Sequence, residues 1–180
     1  QTSGLTLYRG GSCLFRDLGF ELGAGQALWV LGSNGSGKTS LLRVLCGLTQ
    51  PDAGRIEWDD AEVAYAGHLP GLKNDLSVRE NLEFFALQQG ATLQQCRAAI
   101  QRLGMESHAD AEVRTLSAGQ KRRTALARIV MSPANLWILD EPAANLDLSG
   151  RTLVGELLGE HLARGGIAVI ATHDEPPAGP

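Results

Sequence analysis

Aromatic side chains make up only 5% of the 180 residues, and Lys38, Lys73 and Lys121 are the only lysines among 16 Lys and Arg. Against 20 Asp and Glu this leaves a formal net charge of −4. The basic balance and clustered cations that mark a nucleic-acid-coating protein are therefore missing. Cysteine is scarce too. Cys13, Cys46 and Cys96 are an odd number at wide, unpatterned spacing, which excludes a disulfide framework and a zinc site and fits a reducing, cytosolic compartment. No apolar run approaches the roughly 18 residues of a membrane span, and no signal-peptide pattern is present. A span, if the chain works at a membrane, must come from another protein. Repeats and low-complexity tracts are also lacking. What remains, 43% hydrophobic and 20% charged residues, suits one globular domain with a sizeable core.

Periodicity places a strand over Ala27 to Leu31, a glycine-rich loop from Gly32 to Gly37 and a helix over Thr39 to Leu48. Turn chemistry at Gln50 to Gly54 precedes short strands expected at Arg55 to Trp58 and Val63 to Ala66. The middle reads as helical. Ser77 and Glu80 form a capping-box pattern opening one helix, with Val78, Leu82 and Phe85 on one face. Leu93 to Leu103 marks a second helix, stopped at Gly104, and a third runs from about Gly119 to Met131. A buried strand over Leu136 to Leu139, a helix over roughly Ser149 to Leu162 and a strand over Ile167 to Ala171 follow. Strands alternating with helices predict an α/β fold with a parallel sheet. The helical block interrupts it as a subdomain, giving one domain with a core of about 1–69 and 117–180 and a subdomain of about 70–116. The tail Pro176 to Pro180 is expected to be disordered.

Gly32-Ser33-Asn34-Gly35-Ser36-Gly37-Lys38-Thr39 satisfies the phosphate-loop pattern. Glycines let the backbone wrap closely so that successive N–H groups point at phosphate oxygens. The following helix contributes its positive end, Lys38 a point charge for the β- and γ-phosphates, and the Thr39 hydroxyl a ligand for Mg²⁺. Leu136 to Glu141 is a buried strand ending in two carboxylates, so Asp140 can hold Mg²⁺ while Glu141 orients the attacking water.

Those two elements occur in many NTPases. Leu116-Ser117-Ala118-Gly119-Gln120 narrows the choice, because it resembles the signature motif of ABC-type ATPases. His173 resembles the switch histidine of that family, and Asn145-Leu146-Asp147 its dimer-contacting loop. The resemblance implies a P-loop NTPase (RecA-like) parallel-sheet core with an antiparallel β edge. It also implies ATP hydrolysis by a head-to-tail homodimer, in which Ser117, Gly119 and Gln120 of one copy face the phosphate loop of the other. By matching position it gives Ser40 to the α-phosphate, Asp140 to Mg²⁺ through water, Glu141 to the attacking water and His173 to the γ-phosphate. Tyr8 lies about where the family carries its adenine-stacking aromatic; with Phe15 nearby, simple packing is the competing reading. His68 stands where most members carry a Gln that contacts Mg²⁺ and couples to the transport partner, and its imidazole is shorter and titrates near neutrality.

Gly67 to Lys73, Leu76-Ser77, Glu80-Asn81-Leu82, Thr39 to Arg43 and Trp137 to Pro142 resemble the cytochrome c maturation branch, whose ATP-binding subunit serves haem export. Integral membrane permease subunits would be the partners, at the cytoplasmic face of the bacterial inner membrane. The chain shows no haem motif of its own, since Cys-x-x-Cys-His is absent and the histidines are dispersed. An ABC exporter of lipids, drugs or antibiotics would share the same ATP chemistry. A soluble ABC ATPase would need a second ATP domain or long insertions. Only seven residues follow His173, so a short or truncated C-terminal part is a further expectation.

Overall fold

The computed structural model describes residues 1–59 and 61–173, and the Pro176 to Pro180 tail lies outside the described residues. The chain divides into two compact units, one of residues 1–65, 135–141 and 161–173, the other of residues 66–134 and 142–160.

The first unit is built on two sheets. Strands β1 (Thr2–Arg9), β2 (Ser12–Phe20) and β4 (Ala53–Ile56) pair antiparallel in the order β2-β1-β4. Strands β3 (Ala27–Leu31), β5 (Val63–Ala66), β6 (Leu136–Asp140) and β7 (Ile167–Thr172) form the second sheet in the order β3-β7-β6-β5. The β3/β7 and β6/β7 pairs are parallel, as the alternating pattern predicts. Helix α1 (Lys38–Leu45) buries Leu41, Leu42, Val44 and Leu45 against Leu5, Leu7, Ile138 and Val169. Each such side chain, fully buried, contributes roughly 1.5–3 kcal/mol. Phe15 packs against the same cluster.

This antiparallel sheet is the β edge that the family resemblance implies, although periodicity alone places no strand at β1 or β2. Register shifts break their pairing between Thr2 and Leu5 and again beyond, so the apolar alternation that would announce them is interrupted. Strand β4 begins two residues earlier than Arg55, because its partners on β1 run from Thr6 opposite Ala53 to Thr2 opposite Ile56.

The second unit is helical. Helices α2 (Val78–Gln89), α3 (Leu93–Arg102) and α4 (Ala118–Met131) each open on a capping box, formed by Ser77 and Glu80, Thr92 and Gln95, and Ser117 and Gln120. They bury Val78, Leu82, Cys96, Ile100, Ala125, Leu126 and Ile129. Asn81, also buried, donates to the carbonyls of Lys73 and Ser77 and accepts from the Lys73 N–H, which fixes the approach to α2. Helix α5 (Leu148–Ala163) begins in this unit.

Candidate functional site

Strands β3, β6 and β7 are neighbours and parallel, so their carboxyl ends lie side by side, the usual place for a ligand in an open α/β sheet. Leu31 pairs with Thr172 and Asp140 with Ala171, which puts Gly32, Glu141 and His173 one residue beyond the sheet. The side chains converge accordingly. Thr39 Oγ1 donates to Asp140 Oδ2 at 2.7 Å, joining the first turn of α1 to the end of β6. A hydroxyl and a carboxylate are the hard oxygen donors that Mg²⁺ accepts, with phosphate and water completing its shell. Among the described residues no group of three or more His, Cys, Asp and Glu side chains is placed to hold a metal ion.

Lys38 is buried, 8% exposed, and its ammonium donates to the carbonyls of Gly32 at 2.6 Å and Ser33 at 3.2 Å. It also lies 3.9 Å from Glu141 Oε1. Glu141 adopts φ 52°, a left-handed conformation costing a non-glycine residue roughly 1–2 kcal/mol. Its N–H is held by the Ala171 carbonyl at 2.8 Å. On its other side His173 Nδ1 stands 2.9 Å from Glu141 Oε2. A carboxylate only accepts, so the imidazole carries hydrogen on Nδ1. One carboxylate thus sits between an ammonium and an imidazole, oriented by both and able to accept hydrogen from water.

The phosphate loop has its own signature. Gly37, the N-cap of α1, has φ 96° and gives α1 no side-chain cap, whereas α2, α3 and α4 have boxes. The first-turn amides of α1 are left for an anion, with no acidic residue in that turn to oppose it. Ser33, Asn34, Gly35, Ser36 and Thr39 are exposed along this rim, with Ser40 half-buried. Tyr8 on β1 is 45% exposed and its hydroxyl accepts from Arg16 Nη2 at 2.9 Å.

The remaining predicted residues belong to the second unit. Ser117 Oγ accepts from the Gln120 N–H at 3.2 Å and Gln120 Oε1 accepts from the Ser117 N–H at 2.8 Å. Gly119 is required where it stands, since a Cβ there would meet the Asn145 carbonyl oxygen at 2.8 Å. Arg123 reaches Asp147 Oδ1 at 3.1 Å. Bonds from the Gly150 N–H and then Ser149 lower the Asp147 carboxyl below its ordinary value. The start of α4 and the Asn145 to Asp147 loop are therefore fastened together at two points. His68 is exposed, yet its main chain is firmly held. Buried Arg122 donates to the carbonyls of Gly67 at 3.0 Å and His68 at 3.1 Å, and Arg128 donates to those of Pro70 at 3.0 Å and Gly71 at 3.2 Å. Burial brings the Arg128 guanidinium down to about 10. The sequence announces none of these arginine contacts beyond its preference for Arg over Lys.

The sequence profile described as ABC transporter matches residues 15–144. A cytochrome c biogenesis ATP-binding export protein CcmA of Xanthomonas axonopodis pv. citri is 49% identical over 170 residues, covering 89% of this chain and 79% of that protein. The protein of the same name from Methylococcus capsulatus is 45% identical over 183 residues, covering 94% and 88%. Among solved structures, an ABC transporter ATP-binding protein of Pyrococcus furiosus superposes with a TM-score of 0.87 at 20% identity, covering 98% of this chain and 92% of that one, a likeness of fold. CbiO1 of Clostridium perfringens, part of the ABC transporter complex cbiONQ, gives 0.78 at 27% identity, covering 96% and 77%.

Proposed function

Because the chain belongs to the ABC transporter family and carries its ATP-binding domain, we propose that it is the ATP-hydrolysing subunit that powers haem handling in cytochrome c maturation. The observation that carries the chemistry is the placing of Lys38, Glu141 and His173 together with the Thr39–Asp140 pair at the ends of three adjacent strands. The choice of process rests on relatives at 45–49% identity named for cytochrome c biogenesis.

In this reading the amides from Gly32 to Thr39 and the Lys38 ammonium bind the β- and γ-phosphates, and Ser40 reaches the α-phosphate. Thr39 and Asp140 would hold Mg²⁺ there. Bound there, the cation neutralises charge on the β- and γ-phosphates. Glu141 accepts hydrogen from the attacking water, and His173 keeps Glu141 oriented and faces the γ-phosphate. Tyr8 stacks on adenine through its exposed face. Ser117, Gly119 and Gln120 serve the nucleotide of a second copy, so that the working state is a homodimer enclosing two ATP molecules. The helical part of about 70–116 acts as the subdomain that meets integral membrane permease subunits, while the rest forms the core. Leu69 and Leu87, each about four-fifths exposed, supply apolar surface for that contact. No helix among the described residues is long and apolar enough to cross a membrane, and the subunit works peripherally at the cytoplasmic face. Haem itself is handled by the partner, since this chain offers no motif for it.

Glu141→Gln tests the ATP reading. The variant should accumulate as an ATP-bound dimer on size exclusion, because binding survives and turnover does not; a chain that stays monomeric counts against it. Co-purification tests the process. Permease subunits of the cytochrome maturation system should accompany the full-length protein from membranes, and recovery of a different permease would replace the haem assignment and leave the ATPase one.

A further inference from the structure

The signature turn has a third member that its motif does not contain. Gln120 Oε1 accepts from the Ser117 N–H, which fixes the orientation of the amide and leaves Nε2 at its other end. That Nε2 lies 2.8 Å from His108 Nε2. An amide nitrogen only donates, so His108 Nε2 must present its lone pair and the ring hydrogen must be on Nδ1. Ser107 Oγ, 2.9 Å from Nδ1, is placed to accept it. Four groups therefore form one directed chain, with donation running from the Ser117 N–H through Gln120 and His108 to Ser107. It works only with a neutral ring in the Nδ1–H tautomer.

We propose that His108 is a positioning residue for ATP hydrolysis: neutral, it accepts from Gln120 and so holds the Ser117–Gln120 turn in the shape that meets the nucleotide of the second copy. This rests on the role given above to Ser117 and Gln120. Protonation would turn Nε2 into a donor facing the donating amide. The bond is then lost, and Gln120 can recover a partner only by flipping, which takes Oε1 away from the Ser117 N–H. The charged groups on surrounding elements are engaged elsewhere or stand off the ring. Asp110 pairs with Arg79, Glu112 with Arg114, and Arg102 with Glu156 and Glu160. Arg123 is bound to the Leu103 carbonyl and Asp147, while Glu106 is exposed and Lys121 half-buried. Among the described residues, the hydrogen-bond partners of the imidazole are Ser107 and Gln120.

Two measurements on the full chain test this. Long-range ¹H–¹⁵N spectra of the four histidines, with His108 assigned by its loss in His108→Gln, should show an Nδ1–H ring at about pH 8. An Nε2–H ring overturns the proposal. The second measurement is ATP turnover against pH. The glutamine carbonyl of His108→Gln can accept as Nε2 does but does not titrate. The ratio of its kcat to that of the wild type should rise about fivefold, the weight of one hydrogen bond, between about pH 8 and about pH 5.5. KM for ATP should stay within about twofold. Parallel profiles overturn the proposal, and since every other ionisable group is common to both proteins, only the ratio is read. Ser117→Arg separates the two levels. If it still turns over ATP, the role of the signature turn falls and this proposal with it; if it is inactive while the profiles run parallel, only His108 loses its role.

Discussion

Replacing Gly119 by alanine sets two effects of known size against each other. Alanine is the better helix former by up to about 1 kcal/mol, so an uncrowded position in the first turn of α4 would gain stability. The added Cβ, however, would stand 2.8 Å from the Asn145 carbonyl oxygen, where ordinary contact begins at 3.4 Å. The obstacle is main chain rather than the end of a flexible side chain, and Asn145 itself holds φ 62°, a narrow region for any residue with a Cβ. Overpacking of this kind costs about 1–3 kcal/mol. The crowding should win, leaving Gly119→Ala about 1 kcal/mol less stable. Urea unfolding followed by circular dichroism measures the difference. Asn145→Gly in the same chain should recover part of the loss by letting that loop move, which a double-mutant cycle would register as coupling. A Gly119→Ala chain as stable as the wild type, or more so, would refute the close approach.

Lys38→Ala should abolish nucleotide binding, because the loop amides cannot replace the ammonium at the β- and γ-phosphates; titration with a fluorescent ATP analogue checks this, and retained affinity removes Lys38 from the role. His161 gives a pH prediction. Its ring stacks on Trp137 with centroids 3.9 Å apart, and burial lowers its titration from the ordinary 6.5, against the opposing pull of the Ile167 and Asn135 main chain. The folded chain thus binds a proton less readily than the unfolded one. The stability it contributes is full above about pH 6.5 and is lost as the pH falls toward the folded-state value. His161→Phe keeps the stack and should flatten that part of the stability profile; an unchanged slope would show that the ring does not titrate there.

The parallel core and the gathering of Lys38, Asp140 and Glu141 at its strand ends were legible because their signals are local. Glycines around a lysine, a five-residue apolar strand closed by Asp140 and Glu141, and the capping pair Ser77 and Glu80 each carry their meaning within a few residues. The helix limits expected at Gly104 and near Gly119 fall within one or two residues of the observed ends for the same reason. The β1–β2 hairpin was legible only through the family resemblance and not from its own pattern, since shifted registers hide its alternation and its partners lie on β4 and α1. Nor were the grips on the signature segment. Gly119 against Asn145, Arg123 against Asp147 and His108 against Gln120 join residues 12 to 26 positions apart, where spacing has no period to reveal a contact.

The two arginines of α4 hold residues 67–71 through bonds to carbonyl oxygens. Main-chain oxygens are the same whatever residue supplies them, so the attachment does not depend on the identity of His68 or Leu69, both of which point into open surroundings. Either could be exchanged without loosening the loop from the helix that begins at the signature turn. Gly71 is restrained, by the Arg128 guanidinium 3.1 Å from where its Cβ would be. The arrangement separates what these two positions present to their surroundings from what fastens the segment to α4, so the surface can change while the attachment stays.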